Sequence, residues 1–77
     1  MSITDQMQTA IEAELPGSIV EVTGAGGHFE IHVTSALFEG KRLLQKQRMV
    51  FAAITHLMGG DDAPVHAIDR MVCSLPE

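Results

Sequence analysis

The spacing of apolar residues changes several times along this 77-residue chain, and each change marks an element. Ile3, Met7, Ile11 and Leu15 recur every four residues, close to the turn of a helix buried on one side. Ser2 and Thr4 offer capping hydroxyls, Asp5 suits the first turn, and Pro16-Gly17 ends the pattern, so a helix is predicted over about 4–14. Then the period falls to two. Phe29, Ile31 and Val33 alternate with His28, Glu30 and His32, and the segments "SIVEVT" and "HFEIHVT" flank "GAGG", which predicts a hairpin. Residues 41–58 return to helical spacing, with Leu43, Leu44, Val50, Phe51, Ile54, Leu57 and Met58 on one side and Gly59-Gly60 as the stop. "DDAP" reads as a turn, and "VHAIDRMVC" as a third strand with His66 near its start.

The predicted order is therefore αββαβ: an α+β domain spanning 1–77, with helices packed against a small three-stranded sheet. A chain of this length buries only about 60% of the surface it exposes when unfolded, leaving little room for an internal active site. With no tryptophan or tyrosine and three phenylalanines, its core must be built from aliphatic residues, methionine and alanine. The single cysteine, Cys73, cannot form an internal disulfide, and "MSITDQMQTA" lacks the basic-then-apolar pattern of a secretory signal. A reducing cytoplasm is the expected location. No apolar run approaches the roughly 18 residues of a membrane span, so no membrane association is expected.

Charge changes the picture in one place. Ten acidic residues against five basic ones give a net charge of −5, which argues against generic nucleic-acid binding. Yet four of the five cations, Lys41, Arg42, Lys46 and Arg48, gather at the start of the second helix, which contains no acidic residue. Helical spacing sets them opposite the Leu43, Val50, Phe51 and Ile54 stripe. Cations in a first helical turn oppose the macrodipole by roughly 0.3–1 kcal/mol each, so helix stability does not account for Lys41 and Arg42. The cluster is either a solvated face or a site for an acidic partner surface, a carboxylate or a phosphate.

The remaining chemistry favours binding over turnover. No nucleophile stands beside a plausible base, and no phosphate-cradling loop opens a helix, so no enzyme is predicted. "GAGG" has the letters of the Gly-x-x-Gly loop of nucleic-acid-binding KH domains, but it joins two strands, where glycine supplies positive φ for a turn. His66, just after a proline-led turn, is either an exposed or hydrogen-bonded structural residue or a metal ligand. Cys73 lies seven residues on; in an unbroken strand that is over 20 Å away and on the opposite face, which makes it a small hydrophobe near the chain end.

"GGHFEIHVTSALFEGKRLLQKQRMVFAAI" followed by "VHAI" resembles the BolA-like proteins, whose sequences carry His-Phe, an alternating strand, Phe-Glu-Gly-Lys, Leu-Leu-Gln, Arg-hydrophobic-Val and a final His-Ala. The resemblance spans residues 22–68, about six-tenths of the chain. It implies a KH-like (class II) fold and a partnership with a monothiol glutaredoxin carrying Cys-Gly-Phe-Ser, in iron–sulfur cluster trafficking or iron homeostasis. In such complexes a [2Fe-2S] cluster is held by the glutaredoxin cysteine, a glutathione thiolate and two ligands of the BolA-like chain; no cluster is expected in the isolated protein. The histidine of the final His-Ala is one ligand, here His66. The second, in many relatives a His or Cys in a longer hairpin loop, is missing from "GAGG", which leaves His28 as the nearest donor and His32 as a more distant one. The resemblance also implies an alternative, a DNA-binding transcriptional regulator using the basic residues Lys41, Arg42, Lys46 and Arg48. Two departures from the family stand out. "SLPE" replaces the usual ending, predicting a reduced or missing last helix. Arg70 occupies a position that is apolar in relatives, so either the strand register shifts toward Met71 or Arg70 reaches the rim of the sheet.

Overall fold

A computed structural model describes residues 2–59 and 63–77. Helix α1 runs Ile3–Glu14, and Ser2 is its cap, the hydroxyl accepting the Asp5 N–H at 3.1 Å. Strands β1 (Ile19–Ala25) and β2 (His28–Thr34) form an antiparallel hairpin. A 3₁₀ turn at Ala36–Phe38 leads to helix α2 (Leu43–Ile54), which tightens into a second 3₁₀ turn at Thr55–Leu57. Strand β3 (Ala67–Ser74) then pairs parallel to β2, giving the sheet order β1-β2-β3 with β2 in the centre. The αββαβ order and the α+β class of the sequence reading are those of the molecule, and residues 75–77 form no helix.

One face of the sheet carries the core. Met7, Ile11 and Leu15 from α1, Val20 from β1, Phe29, Ile31 and Val33 from β2, Val50, Ala53 and Ile54 from α2, and Phe38 and Val65 from the connections are buried together. Each fully buried side chain of this size contributes about 1.5–3 kcal/mol of transfer free energy. The opposite face is open, and carries Glu21, Thr23, His28, Glu30 and His32.

Three expectations need correction. Helix α2 begins at Leu43, with Arg42 as its cap residue and Lys41 outside it, because Gln45 folds back to accept the Arg42 N–H at 2.9 Å and fixes the helix start. Leu43 and Leu44 do not join the buried stripe: they are 62% and 56% exposed, since the first turn of α2 extends beyond the layer it packs on. The third strand starts at Ala67, two residues after the Val65 that opens the predicted segment, with His66 just before it. Gly60 of the expected helix stop and Asp61-Asp62 of the expected turn lie outside the described residues.

Strand β3 also resolves the Arg70 question. Phe29 pairs with Ile68 but Glu30 pairs with Arg70, so Asp69 is an extra residue, a β-bulge. The register thereby shifts and sets Met71 opposite Ile31 on the core side. Arg70 takes the outward place beside Glu30, its Nε 3.8 Å from the Glu30 carboxylate.

Candidate functional site at the hairpin end of the sheet

The hairpin turn is Gly26-Gly27, closed by the pair Ala25 and His28, with φ of +65° and +84°. Positive φ at both positions is what a two-residue turn matched to strand twist requires, and glycine adopts it without steric cost. Gly27 meets a second demand. Its carbonyl accepts the N–H of His66 at 2.8 Å and that of Ala67 at 3.0 Å, so the start of β3 is fastened to the turn. The His66 imidazole lies against the α-carbon of Gly27: a methyl group added there would lie 3.1 Å from Cγ and 3.2 Å from Cβ of His66, and closer still to Cδ2. His66 is exposed, yet the buried Val65 on one side and the shared Gly27 carbonyl on the other hold its backbone.

His28 is the residue after that turn and pairs with Ala67, so the two sequence-predicted ligands stand at the same end of the sheet. His28 is exposed on the open face, and its Nδ1 lies 3.2 Å from the Asp69 carboxylate. His32, four residues along β2, faces Glu21 across the hairpin and holds Glu30 through Nε2 at 2.8 Å. His56 is exposed on the 3₁₀ turn after α2. Among the described residues no three His, Cys, Asp or Glu side chains converge as a metal site. His66 and His28 are two exposed imidazoles at this end of the sheet.

Of the two reasons read from its spacing for setting Cys73 apart, the distance holds and the opposite faces do not. The bulge removes the odd parity, and Cys73 packs against the core side of the sheet. It pairs with Val33, six positions from Gly27, so about 20 Å separate it from the His66 end at ~3.3 Å per residue. Burial pushes its thiol pKa up, and the charge of Lys46 partly opposes that shift. The basic cluster is accordingly less uniform than predicted. Lys41, Arg42 and Arg48 are exposed, whereas Lys46 is half-buried and its charge acts on Cys73. No helix among the described residues is long and apolar enough to cross a membrane.

The partnership of Asp69 with His28, 41 residues apart in sequence, is the feature that sequence reasoning missed. Its signal was the apolar-to-Arg exchange at position 70, which marks the inserted residue.

The chain matches the family model described as BolA-like protein over residues 3–75. It is 33% identical to Protein BOLA2 of Arabidopsis thaliana over 81 residues, covering all of this chain and 83% of that protein. Its structure superposes on that of a bol-like protein from Babesia bovis with a TM-score of 0.81 at 31% identity, covering 99% of this chain and 87% of the other. A bolA protein homologue from Coxiella burnetii gives a TM-score of 0.74 at 32% identity, covering 96% and 92%. With its three-stranded sheet, its two helices and a family match along nearly its whole length, the chain belongs to the BolA-like family.

Proposed function

We propose that this chain is the histidine-bearing half of a shared [2Fe-2S] site, completed by the cysteine of a monothiol glutaredoxin and a glutathione thiolate, and that the cluster is cargo in iron–sulfur trafficking or iron homeostasis. The observation that carries the reading is His66: an exposed imidazole whose backbone is fixed by the Gly27 carbonyl and whose ring rests on a glycine. A ligand that is accessible yet held in place loses little freedom on binding. His28 is the second donor at the same end of the sheet. Iron–sulfur clusters are held mainly by cysteine thiolates, and histidines replace two of them in mixed sites, which raises the reduction potential. The thiolates therefore come from the partner and from glutathione, and a lone cysteine in this chain suits a reducing cytoplasm.

The exposed cations Lys41, Arg42 and Arg48, with Lys46 beside them, supply the electrostatic contact to the partner or to glutathione carboxylates. Nothing here favours the DNA-binding regulator. That reading would use the same four basic residues, and ten acidic residues against five basic ones leave the chain at a net charge of −5, which opposes approach to a phosphate backbone.

The test is co-purification with the host's monothiol glutaredoxin and glutathione, followed by visible absorption and circular dichroism. His66→Ala should leave the fold and the apo contact in place and abolish the histidine-influenced cluster spectrum. An unchanged spectrum and cluster stability in that variant overturn the assignment.

A further inference from the structure

Asp69 is the extra residue of the β-bulge in β3. In an unbroken register Asp69 would stand opposite Glu30, placing two carboxylates side by side on the open face, a destabilising pair. The bulge gives that place to Arg70, whose Nε approaches Glu30 at 3.8 Å, and the freed Asp69 carboxylate lies 3.2 Å from His28 Nδ1. An ionised carboxylate only accepts hydrogen bonds, so Nδ1 of a neutral His28 must carry the proton and Nε2 must carry the lone pair.

His32 has the opposite arrangement. Its Nε2 is the nitrogen bound to Glu30, at 2.8 Å, which leaves it only Nδ1, the nitrogen nearer the backbone. Of the two β2 histidines, only His28 presents the outer nitrogen free of a carboxylate. Metal-binding histidines typically donate their other ring N–H to a carboxylate, which fixes the tautomer and the ring orientation and raises ligand basicity.

We infer that Asp69 is the positioning residue of His28, fixing its imidazole as the Nδ1–H tautomer so that Nε2 is the second nitrogen donor to a metal centre at the hairpin end. The inference rests on the shared-cluster reading above and gives that reading its second ligand. It also explains how a hairpin too short to carry a ligand keeps a donor: the donor moves to the first residue of β2, and β3 supplies its support.

The experiment has two readouts. Long-range ¹H–¹⁵N correlation of the imidazoles in the isolated chain, with His28 assigned by its absence in His28→Gln, should find His28 as Nδ1–H. Asp69→Ala should shift it toward Nε2–H, while Asp69→Asn, which keeps an acceptor oxygen, should largely preserve the tautomer. In the glutaredoxin–glutathione complex, Asp69→Ala should accelerate cluster loss to a chelator by at least tenfold, as removal of such a support does elsewhere, with Asp69→Asn intermediate. A His28 tautomer that is unchanged in Asp69→Ala, or a cluster lost at the wild-type rate from that variant, overturns this inference and leaves the His66 assignment standing. A wild-type chain that takes up no cluster with its partner overturns both.

Discussion

Replacing Gly27 by alanine tests whether the hairpin turn and the His66 imidazole form one unit. Alanine must adopt φ near +84°, a left-handed conformation that costs an L-residue roughly 1–2 kcal/mol. Its methyl group must also displace the His66 ring, since it would otherwise lie 3.1 Å from Cγ. Driving that side chain off its rotamer costs a further ~0.5–1.5 kcal/mol. The expected loss is therefore about 1.5–3.5 kcal/mol, against a total of about 4–11 kcal/mol for a domain of this size. For domains of 60–100 residues each kcal/mol lowers Tm by about 4–8 °C, so a thermal melt followed by circular dichroism resolves the change. Gly26→Ala is the control. Its φ is +65° but nothing lies within 4 Å of the added methyl group, so it carries the backbone cost alone. Both variants should be less stable, and only Gly27→Ala should also weaken cluster retention in the heterocomplex. Equal cluster retention in the two variants would falsify the coupling of turn and imidazole.

Phe38→Ala should cost about 3–5 kcal/mol and leave the chain close to unfolding at 37 °C, as measured by urea titration, because Phe38 is fully buried. Leu43→Ser with Leu44→Ser should change stability by less than about 1 kcal/mol in the same titration, since both side chains are exposed. The Cys73 thiol should react with iodoacetamide more slowly at neutral pH than a free cysteine, because burial raises its pKa, and the rate should climb only at higher pH; Lys46→Gln should slow it further. By the same sign, the raised pKa contributes stability that is present below the ordinary thiol range and is lost as pH rises through the folded-state value. Glutamine at Lys41, Arg42, Lys46 and Arg48 together should weaken the glutaredoxin complex, and wild-type affinity should fall with added salt; isothermal titration giving equal affinities would assign these charges to solvent.

The periodic elements were legible because each has one buried face. Met7 and Ile11 repeat at helical spacing, and Phe29, Ile31 and Val33 repeat at strand spacing, so pattern and burial agree. What escaped the pattern depends on contacts distant in sequence or on local geometry. Leu43 stands seven residues before the buried Val50 and shares its side of the helix, but its side chain stays exposed on that first turn. The start of α2 is set by Gln45, a side chain without an apolar signal. The bulge at Asp69 changes which residues of β3 face inward, and no local period reveals one extra residue in an eight-residue strand. The resemblance pointed to His66, and to His28 only as the nearest donor, whereas the contact of His28 with Asp69 spans 41 positions and required the pairing of β2 with β3.

Gly27 and His66 are 39 positions apart, and the turn meets the imidazole only when β3 has docked beside β2. The proposed binding end of the sheet is thus assembled only when β3 pairs with β2. Occupancy and folding are then linked by mass action. A ligand held there at a hundred times its dissociation constant stabilises the native chain by about 2.7 kcal/mol, and anything that loosens the core weakens the grip of the site. In a domain this small such a contribution is a sizeable share of the total, so the loaded chain should outlast the empty one wherever proteolysis depends on transient unfolding.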